Sequence, residues 1–319
     1  MSCRSALLRL ALALPCALLA EDARRPGLVN EREVMTQLQI FLDQQLFGPG
    51  KIDGRGGEFT TKALKAYQRA HGLPETGKVD ANIALDSVFP VYVDYTIADT
   101  DPQWIGDCPA KPEEQAKKKY LPYESLLEFL TERFHCDPAF LQKLNPRLKL
   151  SDLKAGDVVR VPNVEPFKIE ELPKTGKLPP QPELKDRVIT IDRKERILEL
   201  TEGDALLATV PITPGGGSLP TPAGDWKIVG IAAMPTFRWD EGVLNRGVRT
   251  DKFFELPPGP NNPVGVLWCG LNKPGIGIHG TNSPQTIGRS ASHGCMRVAN
   301  WDVIRLSKLI TAGMKVVIK

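Results

Sequence analysis

Apolar residues recur at helical spacing in two stretches near the N-terminus. Val34, Leu38, Phe41 and Leu42 share one helical face, and Leu64, Tyr67 and Gln68 lie on a second, with Thr60 and Thr61 as candidate N-caps. Between them Gly48-Pro49-Gly50-Lys51-Ile52-Asp53-Gly54 predicts a turn-rich loop. His71, ahead of Gly72, fits a helix C-terminus. Farther along, Leu126, Leu127, Phe129, Leu130 and Phe134 predict a helix. Pro138 to Leu144 predict another, ended near Asn145-Pro146, and Lys154 to Pro162 a turn into a short strand. From residue 187 the reading changes to strands. Val188, Ile189 and Ile191 followed by Ile197, Leu198 and Leu200 predict a hairpin, Cys269 a buried strand position, and Met314 to Ile318 a last strand.

Proline and charge mark the joints. Thr100 to Lys119 is polar and ends in Lys117-Lys118-Lys119, a solvated run. Glu165 to Lys185 carries Pro166, Pro173, Pro179, Pro180 and Pro182, which predicts a semi-extended spacer. At the start, Arg4 and Arg9, the apolar run Leu10 to Leu19 and Ala20 before Glu21-Asp22 form a secretory signal pattern, too short for a comfortable membrane span. An uncleaved anchor is the alternative, and either way the mature chain is expected outside the cytoplasm. The resulting division is a signal at 1–20, a helical unit at 33–90, a middle module at 120–163, a Pro-rich linker at 164–186 and a C-terminal domain at 187–319.

Composition changes this picture little. A chain of 319 residues suits two or three domains, and 41% hydrophobic content is ordinary for globular proteins. The formal charge of +3 argues against a nucleic-acid partner. Cys3 and Cys16 would leave with the signal, and pairing of Cys108 with Cys136 is open in an oxidising compartment. Without a CxxC or His-rich spacing, neither a metal site nor a cofactor is expected.

The densest chemistry lies in Ser292-His293-Gly294-Cys295-Met296-Arg297. A free thiol has a pKa of about 8.5 and needs a base, or a cation favouring thiolate, to act as a nucleophile. His279, in Ile278-His279-Gly280-Thr281, and His293 are the only histidines in the C-terminal half, and both flank Cys295. A lone cysteine is more often a small buried hydrophobe. The combination is far more specific than any one of its members.

His279-Gly280-Thr281 followed by Ser292 to Arg297 resembles the active-site signature of the YkuD-like L,D-transpeptidase family. Thr221-Pro222-Ala223-Gly224 and Asn262-Pro263-Val264-Gly265 resemble two further turns of that family, so the likeness covers Arg187 to Lys319. It implies a mainly-β catalytic domain. Cys295 is the implied nucleophile and His279 the base. Ser292, His293 and Gly294 would orient the histidine and form the oxyanion hole with the Cys295 N–H, while Gly280, Thr281 and Arg297 would meet substrate. His293 as the base is a lesser alternative. Residues 232–254 are a lid candidate, and Trp239 and Trp268 are read as core. The resemblance also implies sensitivity to carbapenems, which would acylate Cys295.

Ile52-Asp53-Gly54, Thr60, Ala63-Leu64, Tyr67-Gln68 and Gly72-Leu73 resemble a small helical peptidoglycan-binding domain. The middle helix–turn–helix–strand order is similar to a degenerate LysM module of βααβ type, with the usual opening strand replaced by Leu121 to Leu126. The implied protein is multidomain: a mainly-β transpeptidase behind a helical domain and a small α+β module, exported to the periplasm or cell wall. Its implied partner is peptidoglycan, as donor stem and amine acceptor. A neighbouring stem, an outer-membrane lipoprotein lysine and a D-amino acid are all acceptors open to it. An L,D-carboxypeptidase using water and an inactive peptidoglycan-binding protein are the alternatives.

Overall fold

The computed structural model describes residues 30–319 apart from 218 and 291, so the signal pattern lies outside the described residues. Helix α1 (Glu31–Gln44) buries Leu38, Ile40, Phe41 and Leu42. Helix α2 (Glu58–Ala70) buries Ala63, Leu64 and Tyr67 against it. Its N-cap is Gly57, so Thr60 and Thr61 fall inside the first turn instead of capping it. Thr61 Oγ1 donates back to the Gly57 carbonyl at 3.0 Å, a local use of the hydroxyl that competes with capping. His71 is the C-cap, followed by Gly72 at φ +66°. A 3-10 turn, Leu85–Ser87, completes this unit.

Next, β1 (Tyr92–Thr96) pairs antiparallel with β2 (Val158–Pro162) in unbroken register from Tyr92↔Pro162 to Thr96↔Val158. Between them lie α3 (Pro112–Gln115), α4 (Leu126–Arg133) and α5 (Pro138–Leu144). Ser125 caps α4 by accepting from the Glu128 N–H, and Asp137 caps α5 by accepting from Phe140. The partner of β2 is therefore a strand about thirty residues upstream of the module start expected at 120, with α3 between it and α4. Cys108 and Cys136 are separate thiols, the latter buried.

The Pro-rich stretch is not a free spacer. Phe167 and Ile169 are buried, and the Phe167 N–H donates to the Arg133 carbonyl at 2.8 Å. Residues Gly176–Lys177 form β3, which adds to the main sheet beside Ala232 and Ala233. That sheet is built from β4 (Val188–Asp192), β5 (Ile197–Glu202), β6 (Ala205–Pro211), β7 (Gly224–Ala233), β10 (Leu267–Leu271), β11 (Gly277–His279), β12 (Met296–Arg297) and β13 (Lys315–Ile318). A two-stranded flap, β8 (Phe237–Trp239) and β9 (Phe254–Leu256), flanks α6 (Glu241–Arg246). The main order is β12-β11-β10-β7-β13-β4-β5-β6, with β3 on β7. The expected hairpin is β4–β5, and the last strand β13 runs parallel to β4. Helix α7 (Asn300–Ser307) packs Val303 and Leu306 into the sheet's core, where Cys269 is also buried.

One apolar cluster runs from Leu38 and Tyr67 through Tyr123, Phe129 and Val161 to Val266, Ala299 and Trp301. The middle segment therefore shares its core with both neighbours and is not a separate module. Loop backbone joins them too. Ile52 bridges Cys136, Phe47 bridges Thr209, and the Leu121 N–H donates to the Pro258 carbonyl at 2.9 Å. At the junction, Arg305 of α7 donates to Asp43 of α1 at 2.9 and 3.0 Å and to Asp302 at 2.6 Å. His135, beyond α4, stands 3.2 Å from the same Asp43 carboxylate and stacks on Trp301 with ring centroids 5.1 Å apart.

Candidate active site

Strands β11 and β12 run parallel and adjacent, with Ile278↔Met296 and His279↔Arg297 in register. Alternate residues of a strand share a face, so Cys295, one step before β12, belongs to the face of Arg297 and His279. Gly277 is the residue opposite Cys295. A Cβ there would lie 2.7 Å from both the Cys269 carbonyl oxygen and a Trp268 ring carbon, so only glycine fits beneath Cys295. Cys295 is half-buried, and its Sγ–H donates to the Gly275 carbonyl at 3.3 Å.

His279 is buried and held from two sides. Trp268, its neighbour across β10–β11, stacks on it at 5.5 Å between centroids and 19° between planes. Nδ1 meets the Gly280 carbonyl at 2.6 Å. A carbonyl only accepts, so Nδ1 carries the proton and Nε2 keeps its lone pair. Burial, outweighing the Gly280 contact and helped by the Arg297 charge, lowers the His279 pKa to about 4. Burial likewise pushes the Cys295 thiol up to about 11, against the Gly277 N–H and Arg297, which favour thiolate. The resting pair is thus a neutral thiol and a neutral imidazole at pH 7.

The turn that carries Cys295 is fastened by backbone from 213–216. Thr213 and Arg297 exchange N–H···O bonds of 2.9 and 3.0 Å, the Ser292 N–H donates to Pro214, and the Gly216 N–H donates to Ser292. Ser292 Oγ closes the turn onto the Cys295 carbonyl at 2.5 Å. Thr221 accepts from the Gly215 N–H at 2.7 Å, which ties the Thr-Pro-Ala-Gly turn to the same support. Gly294 sits at φ +100°, a region that favours glycine, and its backbone abuts Gly215, where a Cβ would lie 2.6 Å from the Gly294 nitrogen. Among the described residues nothing accepts from the Gly294 or Cys295 N–H.

Above this floor lies a cleft of about 610 Å³, lined by Cys295, His279, Ser292, His293, Arg297, Trp239, Trp268 and the flap. Lys177, Arg238, Arg249 and Arg297 contribute positive charge. Asp240 is its one carboxylate, and that group accepts from Gly242 and Thr250 while facing Arg238. Arg297 has no ion-pair partner among the described residues.

The sequence comparisons agree with this geometry. Residues 186–318 match the family model of the L,D-transpeptidase catalytic domain, and residues 31–84 that of a putative peptidoglycan binding domain. The chain carries a YkuD-type L,D-transpeptidase catalytic domain behind a peptidoglycan-binding domain. Among curated relatives, the putative L,D-transpeptidase YkuD of Bacillus licheniformis is 29% identical over 60% of this chain and 91% of its own length. The putative L,D-transpeptidase YqjB of Bacillus subtilis is 39% identical over 30% of this chain and 61% of its own. Among solved structures, an Enterococcus faecium L,D-transpeptidase mutant aligns at TM-score 0.35 and 19% identity, over 44% of this chain and 52% of that one.

Within the L,D-transpeptidase domain several expected roles change place. The carbonyl that accepts from His279 is that of Gly280, not of Ser292 or His293, because Gly280 follows the histidine directly at the strand end. Gly280 and Thr281 are buried under the cleft instead of lining it, and Thr281 Oγ1 accepts from the Ser283 N–H. His293 lines the cleft but is exposed, and makes no side-chain hydrogen bond among the described residues. Trp239 and Trp268 line the cleft instead of a closed core. Residues 232–254 build β8 and α6 over it, where a lid would lie. Lys177 comes from β3, ahead of the family match, and a Pro-rich context hid it.

Proposed function

We propose that this protein is an exported cell-wall L,D-transpeptidase that transfers a peptidoglycan stem, through a thioester on Cys295, to an amine acceptor. The observation that carries the reading is the placement of Cys295 and His279 on one face of two adjoining strands, with the imidazole Nε2 free to accept a proton. Cys295 Sγ attacks the carbonyl of the third stem residue, and its proton passes to His279 Nε2. The oxyanion would meet the free N–H groups of Gly294 and Cys295. The amide bond to the terminal D-residue breaks, and His279 returns the proton to the departing amine. An acceptor amine then attacks the thioester, gives its proton to His279, and Cys295 leaves to be reprotonated.

The cations around the cleft support an acidic substrate such as a stem peptide with free carboxylates. Arg297 is placed to form a charge-assisted bond with one of them. Arg297→Gln is therefore expected to raise KM for a tetrapeptide stem by about tenfold or more, with a smaller change in kcat, in steady-state assays. The helical domain supports attachment to the wall. Export agrees with the signal pattern, and among the described residues no helix is long and apolar enough to cross a membrane.

Intact mass of the protein incubated with a tetrapeptide-stem muropeptide tests the reading, with Cys295→Ala in parallel. The wild type is expected to carry an acyl adduct and to release crosslinked dimer, and the variant neither. Tripeptide without dimer would assign a carboxypeptidase. No adduct and no product, with binding to sacculi kept, would leave only a binding protein.

A further inference from the structure

We propose that Glu132, on α4 of the middle segment, is a positioning residue for His279, acting through Asn300 and the 280–281 loop. The middle segment would then complete the catalytic site as well as attach it. The proposal rests on the reading of His279 as the base for Cys295.

Asn300 opens α7 and is fully buried. Its Oδ1 accepts from two N–H groups on different segments, Thr281 at 3.1 Å and Val266 at 3.2 Å. Thr281 directly follows Gly280, whose carbonyl holds the His279 ring. Gly265 and Gly280 make the cradle for that oxygen, since a Cβ on either would run into Asn300 Oδ1. An asparagine amide has two nearly isosteric faces, and turned over it would present its NH₂ to two N–H donors. The partner that fixes the working face is Glu132, whose Oε1 accepts from Asn300 Nδ2 at 2.8 Å. Glu132 is held in turn by the Tyr123 hydroxyl on Oε2 at 2.5 Å.

These groups lie out of water. Glu132 and Tyr123 are 4% and 2% exposed, so no solvent molecule would readily replace a lost partner. Burial pushes the Glu132 carboxyl up to about 8, against the bonds from Tyr123 and Asn300. A glutamine carbonyl can replace it as the acceptor for Asn300. A methyl group cannot. Neither Glu132 nor Tyr123 lies within the matched catalytic domain, so the relay belongs to this chain's own arrangement of segments.

Nitrogen NMR of the histidine rings provides the test, because tautomer and titration report on His279 without substrate. In the wild type His279 is expected as the Nδ1–H tautomer titrating near 4. In Glu132→Ala the Gly280 carbonyl, whose contact favours the protonated ring, should lose its hold, so the tautomer is no longer fixed and the titration moves below the wild-type value. On a muropeptide substrate, kcat should fall at least about tenfold with KM little changed. Glu132→Gln should restore both readouts. Tyr123→Phe, which deletes one hydroxyl, gives the same shift at smaller amplitude and serves if the alanine variant does not fold. A His279 tautomer and titration indifferent to both Glu132→Ala and Tyr123→Phe in folded protein would overturn the proposal. So would a glutamine variant as impaired as the alanine one. An inactive wild type whose His279 signature still follows Glu132 would instead count against the transpeptidase reading alone.

Discussion

Replacing His279 with glutamine is expected to slow acylation of Cys295 at pH 7 by on the order of 10²–10⁴-fold, the usual contribution of a positioned general base. The reason is the charge state of the resting pair. With the thiol pushed up to about 11, only about one molecule in 10⁴ holds thiolate at pH 7. With the imidazole near 4, the base is unprotonated across the working range. Acylation by the wild type should therefore be nearly flat between about pH 5 and pH 9. Below about 4 it falls, because imidazolium cannot take the thiol proton. In His279→Gln the reaction depends on thiolate alone, so its rate should rise close to tenfold per pH unit toward 11. Single-turnover mass spectrometry against pH distinguishes the cases. A bell-shaped wild-type profile would indicate a preformed thiolate–imidazolium pair and would contradict the neutral-pair reading.

Asp43→Ala is expected to destabilise the folded chain by about 3–5 kcal/mol, the usual consequence of stranding one member of a buried ion pair. Burial alone would raise the Asp43 pKa, but Arg305 and His135 outweigh it and hold the carboxyl well below the usual carboxylate range. Removal of the carboxylate leaves the Arg305 guanidinium, held at the junction, with Asp302 as its remaining side-chain acceptor. Because the folded pKa is depressed, the contribution is full above the unfolded value of about 3.9 and is lost as pH falls through the folded one. The gap between wild type and variant in urea unfolding should be wide at pH 7 and should narrow below about pH 4. An equal midpoint for both at pH 7 would mean that the junction contributes nothing to stability. Trp301, stacked on His135 at the same junction, supplies a fluorescence signal for the measurement.

Much of the catalytic reading was legible in local sequence. Cys295 and His279 announce themselves through neighbours a few residues away, and a strand end and a tight turn are local structures. The β4–β5 hairpin, α4, α5 and the buried Cys269 follow from periodicity for the same reason. The glycine before Cys295, Gly294, is likewise a local requirement of positive φ.

The remaining features depend on segments far apart along the chain, and no local pattern encodes those meetings. β1 pairs with β2 more than sixty residues later, so its short alternation could not be told from a linker. Prolines announced a spacer at 164–186, yet Gly176 and Lys177 found an unpaired length of β7. Nothing near Asp43, His135 or Arg305 along the chain marks them as partners, and only helix packing brings them together. Trp268 reads as core in a strand, and only the neighbouring strand places it flat against the His279 imidazole. By itself the sequence singled out Cys295 and His279 as the residues proposed to react. The tertiary structure decided which groups orient and charge them, because desolvation and hydrogen-bond direction arise only when distant segments close around the same space.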